Sequence, residues 1–272
     1  MSAVSSWMKF RPRLASLMTI VVVVFLLLPT IIVIPVSFGS EKYLQFPPKD
    51  WSLVWYRAFF ADREWMEATR LSVIVAGLAT LLATLLALPL TLVFARGKLP
   101  ASGAVKALVL APMILPHIVT AVGLYITFAR WGLTGTVFGF VVAMAVLALP
   151  FLFLTLSAAV SKLDPALDMA AASLGASRFA TFRLITFPLL LPAILAGMAF
   201  AFITALDEAV VSNFLSSSIS KTLMKKMFED IDFDVSPIIA AVSTLIILAT
   251  FLLVGLAQFV RWVQSRRMGK AG

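Results

Sequence analysis

Three ionisable side chains interrupt long apolar stretches of this 272-residue sequence: His117, Asp207 and Glu208. A carboxylate at the depth of a lipid bilayer is costly, so it usually faces a water-filled cavity or a partner. Beside a water-filled path, either acid would attract an ammonium group, because Coulomb attraction grows as the local dielectric falls. The sequence leaves two other placements open. The acids lie half-solvated near the outer end of a shortened helix, or they pair with Arg70, Arg130 or another chain.

These residues do not form a recognisable catalytic or metal-binding group. His117 is the only histidine and could act as a base, but no serine motif flanks it, and Asp207 and Glu208 are adjacent rather than on facing helices. A single histidine is too little for a metal site, and a sequence without cysteine has no thiol nucleophile. We therefore predict no catalytic residue and no metal site, and an intramembrane enzyme is a distant alternative. His117 could instead be a packing residue bonded to a carbonyl.

The composition is that of a membrane protein. Apolar residues make up 61% of the chain, charged residues only 13%, and the mean hydropathy is +1.04. A helix needs about 20 mostly apolar residues to span a bilayer, and the continuous runs in this sequence are too long for barrel strands. We predict an all-α integral membrane protein with a single transmembrane domain over residues 1–272. Its six spans are expected at about 14–38, 67–95, 103–129, 134–160, 189–215 and 237–262.

Charge distribution predicts the topology. Six spans put both termini on one side, and if that side is the cytoplasm it holds most of the basic residues, including Arg96, Lys98 and Lys162. The net charge of +9 and the pI near 10.2 then follow from the positive-inside rule and do not indicate nucleic-acid binding. The first apolar run, after Arg13, is longer than the ~7–15 apolar residues of a signal peptide, so we interpret it as an uncleaved span.

The most informative polar stretch is residues 161–188, between the fourth and fifth apolar runs. If this stretch is a helix that begins at about Pro165, its small side chains, alanines and one serine, form a surface from which little protrudes. Gly175 would let the chain bend or approach another chain closely. Arg178 follows, and Pro188 returns the chain to the bundle. This pattern is typical of a short helix that lies at the membrane surface and docks onto a partner.

The stretch resembles the EAA loop of ABC importer permeases, which runs Glu-Ala-Ala, then Gly, then Ile-x-Leu-Pro. The pattern is matched with the same spacing by Ala170 and Ala171, by Leu174, Gly175 and Ala176, and by Ile185, Phe187 and Pro188. Met169 replaces the usual Glu, and Phe187 replaces the Leu; Asp168 could substitute for the missing carboxylate. We call residues 161–188 the coupling loop, because the resemblance implies that an ATPase subunit docks there. The residues expected at that contact are Asp168, Met169, Ala170, Ala171, Leu174, Gly175, Ala176 and Arg178.

The resemblance covers nearly the whole chain. Residues 206–214 (LDEAVVSNF) and 235–237 (VSP) are similar to the spermidine/putrescine permease group, specifically its PotC-like subunit. This implies a type I importer fold in a bacterial inner membrane. The implied partners are the lipid bilayer, a second related permease that is usually a different chain, two cytoplasmic ATPase subunits and a periplasmic substrate-binding protein. The ATPases would bind ATP and Mg, because this chain has no Gly-x4-Gly-Lys-Ser/Thr phosphate-binding loop. We expect no cofactor in the chain itself.

The substrate implied by the resemblance is a small organic cation, with a polyamine as the leading candidate. We place Asp207, Glu208 and His117 on its pathway. The group typically has an acid after the proline of the third span, whereas Pro116 is followed by His117 here. That exchange would suit a substrate that also carries a carboxylate, so 4-aminobutyrate or an opine is an alternative. A passive channel is a further alternative, but it would leave the coupling loop without a purpose.

Overall fold

A computed structural model describes residues 2–95, 97, 101–217, 220–233 and 236–268, and describes side chains within these ranges except those of 2–14, 233 and 260–268. Arg96 and Lys98, which the sequence predicts on the cytoplasmic side, lie outside the described residues, and so does Val235. The regular structure of the described residues is helical. In chain order the helices are α1 (Ser2–Val36), α2 (Val54–Ala61), α3 (Arg63–Ala95), α4 (Ser102–Ile114), α5 (His117–Arg130), α6 (Val137–Val160), α7 (Pro165–Ser173), α8 (Arg178–Thr181), α9 (Phe187–Leu206), α10 (Val210–Leu215), α11 (Leu223–Phe233) and α12 (Ile238–Met268).

Membrane-length helices account for most of the predicted spans. By length and composition, five helical segments of the described chain can cross a bilayer, and the count rises to six if the bent pair α4–α5 is one span. The five segments are Ala15–Val36, Arg63–Ala95, Val137–Val160, Arg178–Leu206 and Ile238–Phe259. The all-helical membrane architecture predicted from the apolar runs is therefore confirmed.

The third predicted span, 103–129, is not one continuous helix. α4 and α5 are bent by 106° at the break between them. Leu115 and Pro116 are extended there, with ψ values of 143° and 134°. Pro116 has no N–H to donate to the preceding turn, and a proline disfavours helical backbone at the residue before it. A run that is mostly apolar by composition is therefore interrupted at Pro116.

The fifth predicted span, 189–215, is also corrected. The helical segment begins earlier, at Arg178, passes through a π-helical turn at Phe182–Thr186, and ends at Leu206. Asp207 is the residue that ends α9, and the chain restarts as α10 three residues later. Asp207 and Glu208 therefore do not lie inside a continuous fifth helix. They form a break between two helices, and the alternative of a shortened helix is the one that fits Asp207, which ends α9.

The described residues fall into two compact units. One contains the chain up to Asp62 together with Asp230–Ile247, and the other contains Arg63–Glu229 and the chain from Leu248 onward. In the first unit, the Ser37 and Tyr56 hydroxyls are 2.6 Å apart and share a hydrogen bond, at a point where Ser37 is fully buried. The single-domain assignment stays a prediction.

The second unit is built around α6, which packs against α3 and α9, while α3 also packs against α9. The face of α3 toward this core is a row of fully buried alanines, Ala76, Ala79, Ala83 and Ala87. Small side chains at this spacing let helix backbones approach closely, which is the usual basis of packing in lipid. At Gly197 of α9 an added Cβ would lie 2.9 Å from Leu152 Cδ2 of α6, so glycine is needed for this close approach.

Candidate functional site

The coupling loop forms a short capped helix where the sequence predicts one. Pro165 is the first residue of α7, a position at which proline costs no hydrogen bond. Asp164 precedes it, and its carboxylate accepts a hydrogen bond of 2.8 Å from the Ala166 N–H. This cap satisfies one of the free N–H groups at the helix start, and it explains why the helix begins at this residue.

Gly175 ends α7 in the left-handed region, with φ of +79°. The Gly175 N–H donates to the Ala172 carbonyl, and the Ala176 N–H donates to the Ala171 carbonyl, both at 3.0 Å. This is the Schellman arrangement, in which glycine is preferred because it has no Cβ to strain. Among the described residues, an added Cβ at Gly175 would meet nothing within 4 Å. In that part of the chain the glycine therefore serves the bend rather than a close approach of another segment.

The coupling loop displays apolar side chains to its surroundings. Leu174 is 88% exposed and Met169 is 65% exposed, and Phe179 on α8 is also exposed. The remaining predicted contact residues are exposed too, apart from Ala171, which is buried: Asp168, Ala170, Gly175, Ala176 and Arg178. An apolar patch with polar neighbours on a surface segment is typical of a protein interaction site.

A cavity of about 680 Å³ lies under the coupling loop. Asp168 and Arg178 both line it, one from α7 and one from α8, together with Leu92 near the end of α3 and Val160 at the end of α6. The cavity therefore lies between the coupling loop and the ends of two core helices, α3 and α6.

The second group of predicted residues gathers at the two helix breaks. His117 is the first residue of α5, directly after the α4–α5 break, and its Nδ1 lies 3.0 Å from Glu208 Oε2 in the α9–α10 break. Glu208 Oε1 accepts hydrogen bonds of 3.0 Å from the backbone N–H groups of both Val210 and Val211. The Glu208 carboxylate thus caps α10, as a negative charge at a helix start should, and also holds the imidazole.

Asp207 has a different environment from its neighbour. Its side chain is exposed, whereas the Glu208 side chain is only 5% exposed. Within the described part of the chain, neither acid forms an ion pair with Arg70 or Arg130. The structure therefore brings His117 and Glu208 together and leaves Asp207 apart from their hydrogen bonds.

Two contacts that the sequence did not reveal extend this site. Tyr125 of α5 and Phe214 of α10 meet edge to face, with ring centroids 6.3 Å apart. Lys225 of α11 donates a hydrogen bond of 2.6 Å from Nζ to Asn213 Oδ1 at the other end of α10. The helix α10 is thus held at its start by Glu208 and further along by α5 and α11.

Comparisons with known proteins agree on the family. A family model described as binding-protein-dependent transport system inner membrane component matches residues 87–268. The putrescine transport system permease protein PotI of Escherichia coli (strain K12) is 28% identical over 253 residues, covering 90% of this chain and 88% of that protein. The spermidine/putrescine transport system permease protein PotC of Haemophilus influenzae is 30% identical over 241 residues, covering 88% of this chain and 93% of that protein.

Two solved structures share the fold. A bacterial ABC transporter involved in the import of the acidic polysaccharide alginate matches with a TM-score of 0.70 and 13% identity, over 94% of this chain and 96% of that one. The bacterial alginate transporter in complex with a pentasaccharide-bound periplasmic protein matches with a TM-score of 0.67 and 18% identity, over 97% of this chain and 96% of that one. Since the family model spans more than half of the sequence, the chain belongs to the inner membrane components of binding-protein-dependent transport systems.

Proposed function

We propose that this permease subunit of an ABC importer carries a small organic cation, and that the cation is a polyamine such as putrescine or spermidine. The exposed apolar surface of the coupling loop is the observation that carries an ATP-driven mechanism, because a passive channel needs no such surface. The polyamine class is supported by relatives named for putrescine and spermidine/putrescine transport, which match about 90% of the chain.

The assembly we propose lies in a bacterial inner membrane with both termini of this chain in the cytoplasm. It contains a second, related permease, two ATPase subunits and a periplasmic binding protein. The family description names a binding-protein-dependent system, and one structural neighbour carries a bound periplasmic protein, which supports the last of these partners. The ATPases would hold ATP and Mg, so this chain would carry no cofactor and would perform no catalysis.

Coupling would take place at α7 and α8. Leu174 and Met169 would enter an apolar recess of the ATPase, and Arg178 and Asp168 would contribute charged contacts beside them. Closure of the ATPase pair would push α7 against the ends of α3 and α6, which border the same cavity. That push would rock the core helices and alternate the access of the pathway, as in other transporters that move rigid bundles.

The pathway for the cation would pass the two helix breaks. Asp207, Glu208 and His117 are polar side chains in an otherwise apolar bundle, and such side chains usually face a pathway or a partner. Non-helical backbone at membrane depth is tolerated only where it lines a cavity or is buried in protein, so the breaks themselves also favour a pathway there. The carboxylates supply negative charge that attracts an ammonium group. His117 is 56% exposed, and it would also suit the carboxylate of an amino-acid-like substrate, so 4-aminobutyrate and opines are the second candidates.

Reconstitution tests the substrate class. The permease, its partner permease, the ATPases and the binding protein would be placed in proteoliposomes, and ATP-dependent uptake of putrescine, spermidine, 4-aminobutyrate and an opine would be compared. We expect uptake of the two polyamines. Uptake of only the zwitterionic compounds would replace the polyamine assignment with the amino-acid-like one, and uptake without ATP would remove the importer mechanism.

A surface variant tests the docking site. Leu174→Glu places a charge on a side chain that is 88% exposed, so the bundle should fold normally while the ATPase no longer copurifies. Phe228→Glu on α11 is the matched control, because Phe228 is an exposed apolar residue outside the coupling loop. Loss of the ATPase in the control but not in Leu174→Glu would place the docking surface elsewhere.

A further inference from the structure

A contact between the side chains of His117 and Glu208 joins the two helix breaks. His117 and Glu208 are 91 residues apart in sequence, yet their side chains are in hydrogen-bond contact. Each lies at the start of a helix that follows a break, since His117 begins α5 and Glu208 is two residues before α10. This contact therefore connects the second halves of the two interrupted helices.

Glu208 has little capacity left for another ligand. One oxygen accepts the N–H groups of Val210 and Val211, and the other is paired with His117. The side chain is 5% exposed, so a cation could reach the carboxylate only by displacing these partners. Removing them would leave the N–H groups at the start of α10 buried without acceptors, which is costly.

Asp207, the adjacent acid, is exposed, and its carboxylate takes no part in those hydrogen bonds. The two acids therefore differ in exposure, which decides whether a passing cation can reach the carboxylate. Resting on the polyamine import proposed above, we infer that Glu208 is a positioning residue that joins α5 to α10 through His117. Asp207 and the His117 ring, rather than Glu208, then contact the transported ammonium group.

The pairing also sets the chemistry of His117. When Nδ1–H donates to a carboxylate, the neutral imidazole keeps Nε2 as an acceptor, and the ring orientation is fixed. An oriented acceptor on a ring that is 56% exposed can take a hydrogen bond from an ammonium N–H. The Tyr125–Phe214 contact holds the same two helices further along, so α5 and α10 should move as one body during transport.

A pair of isosteric substitutions tests the division of roles. Asp207→Asn and Glu208→Gln each remove one negative charge at neighbouring positions, and Gln keeps an oxygen that can still cap α10. We expect Asp207→Asn to raise the KM of polyamine uptake about tenfold, and Glu208→Gln to lower the maximal rate about fivefold with KM changed by less than about twofold. An equal rise of KM in the two variants would overturn the inference, because both acids would then contact the cation.

The link through His117 is tested by combining substitutions. Glu208→Ala and His117→Ala should each reduce the maximal uptake rate, and the double variant should be no slower than Glu208→Ala alone, since the two act through one contact. Multiplicative losses would show that the residues act independently. His117→Asn, whose amide can donate to Glu208, should recover part of the rate lost in His117→Ala.

A cross-linking experiment does not depend on the substrate. The chain contains no cysteine, so Tyr125→Cys with Phe214→Cys introduces the only thiol pair. Bridging them with a short bis-maleimide should leave ATPase stimulation by the loaded binding protein within about twofold of the unbridged variant, because α5 and α10 move together. Loss of stimulation on bridging would contradict the inference. Failure of the unmodified complex to import any polyamine would instead refute the proposed substrate and leave this result valid.

Discussion

The Ser72 hydroxyl of α3 accepts a hydrogen bond of 2.7 Å from the backbone N–H of Leu223, the first residue of α11, and both groups are buried. A side chain 151 residues away thus satisfies the first N–H of α11, while Thr222, directly before the helix, accepts a hydrogen bond of 3.3 Å from the Lys225 N–H. Because buried N–H groups without acceptors are costly, the Ser72 hydroxyl stabilises the start of α11 together with this local cap.

Removing that hydroxyl should destabilise the bundle. Ser72→Ala leaves the Leu223 N–H buried and unpaired, which should cost about 1–3 kcal/mol and lower the thermal unfolding midpoint in detergent. The control is Thr127→Ala, in which an exposed hydroxyl bonded to a carbonyl of its own helix is lost, with an expected change of less than about 0.5 kcal/mol. Equal midpoints for the two variants would mean that Leu223 finds another acceptor.

Gly175 can be tested for its backbone conformation. At φ of +79° a β-branched residue is strained by about 1–2 kcal/mol, whereas Asn tolerates the left-handed region. Gly175→Val should therefore unravel the end of α7 and weaken ATPase stimulation by the loaded binding protein about tenfold. Gly175→Asn should stay within about threefold of the unchanged protein.

Comparison of these two variants distinguishes two reasons why glycine is needed at position 175. No atom in the described ranges of this chain would meet an added Cβ at Gly175, so equal losses in Gly175→Val and Gly175→Asn would point to a clash with the partner. That result would replace the backbone explanation with close approach of the ATPase to the bend.

The sequence predicted what depends on local composition. Continuous apolar runs require membrane-length helices, so α3 and α6 were predicted within a few residues of their observed ends. Pro165 and Gly175 indicated the helix of the coupling loop, because an N-terminal proline and a left-handed glycine act within a few residues. The Asp164 cap is equally local, but it was recognised only in the structure.

The two breaks needed more than composition. A proline such as Pro116 can kink a helix, but the size of the bend depends on how α4 and α5 pack, which no local pattern encodes. The carboxylate of Glu208 could have indicated a helix start, because an acid at that position can accept hydrogen bonds from the unpaired N–H groups of the first helical turn. Its contact with His117 is purely tertiary. The helix α11 was missed because its polar, mixed-charge sequence resembles a loop, although Thr222 just before it could have indicated a helix start.

Protonation of Glu229 should loosen α11. Partial burial favours the neutral carboxyl, but the ammonium groups of Lys221, at 2.7 Å, and Lys225, at 3.5 Å, lower the Glu229 pKa below its ordinary value of 4.5. A carboxyl whose folded pKa is depressed contributes stability that is present above the ordinary value and is lost as the pH falls through the folded one.

Thermal unfolding between pH 7 and pH 3 measures this contribution. The unfolding midpoint of the unchanged protein should fall through the lower part of this range more than that of Glu229→Gln, which has no charge to lose. Glu67→Gln is the control, because Glu67 belongs to an exposed pair with Arg63 that should add little. A pH dependence unaltered in Glu229→Gln would show that other carboxylates govern acid unfolding.

The cap of α7 links the local structure of the coupling loop to its action on the core. Asp164→Ala removes the acceptor of the Ala166 N–H and should cost the helix about 1 kcal/mol, so α7 would fray at its start. Amide hydrogen exchange of α7 should then rise about fivefold, and stimulated ATPase activity should fall, because a frayed helix transmits force poorly to the ends of α3 and α6. Asp164→Asn keeps a capping oxygen and should preserve both. If exchange rises in Asp164→Ala while ATPase stimulation is unchanged, the first turn of α7 is not needed to transmit force.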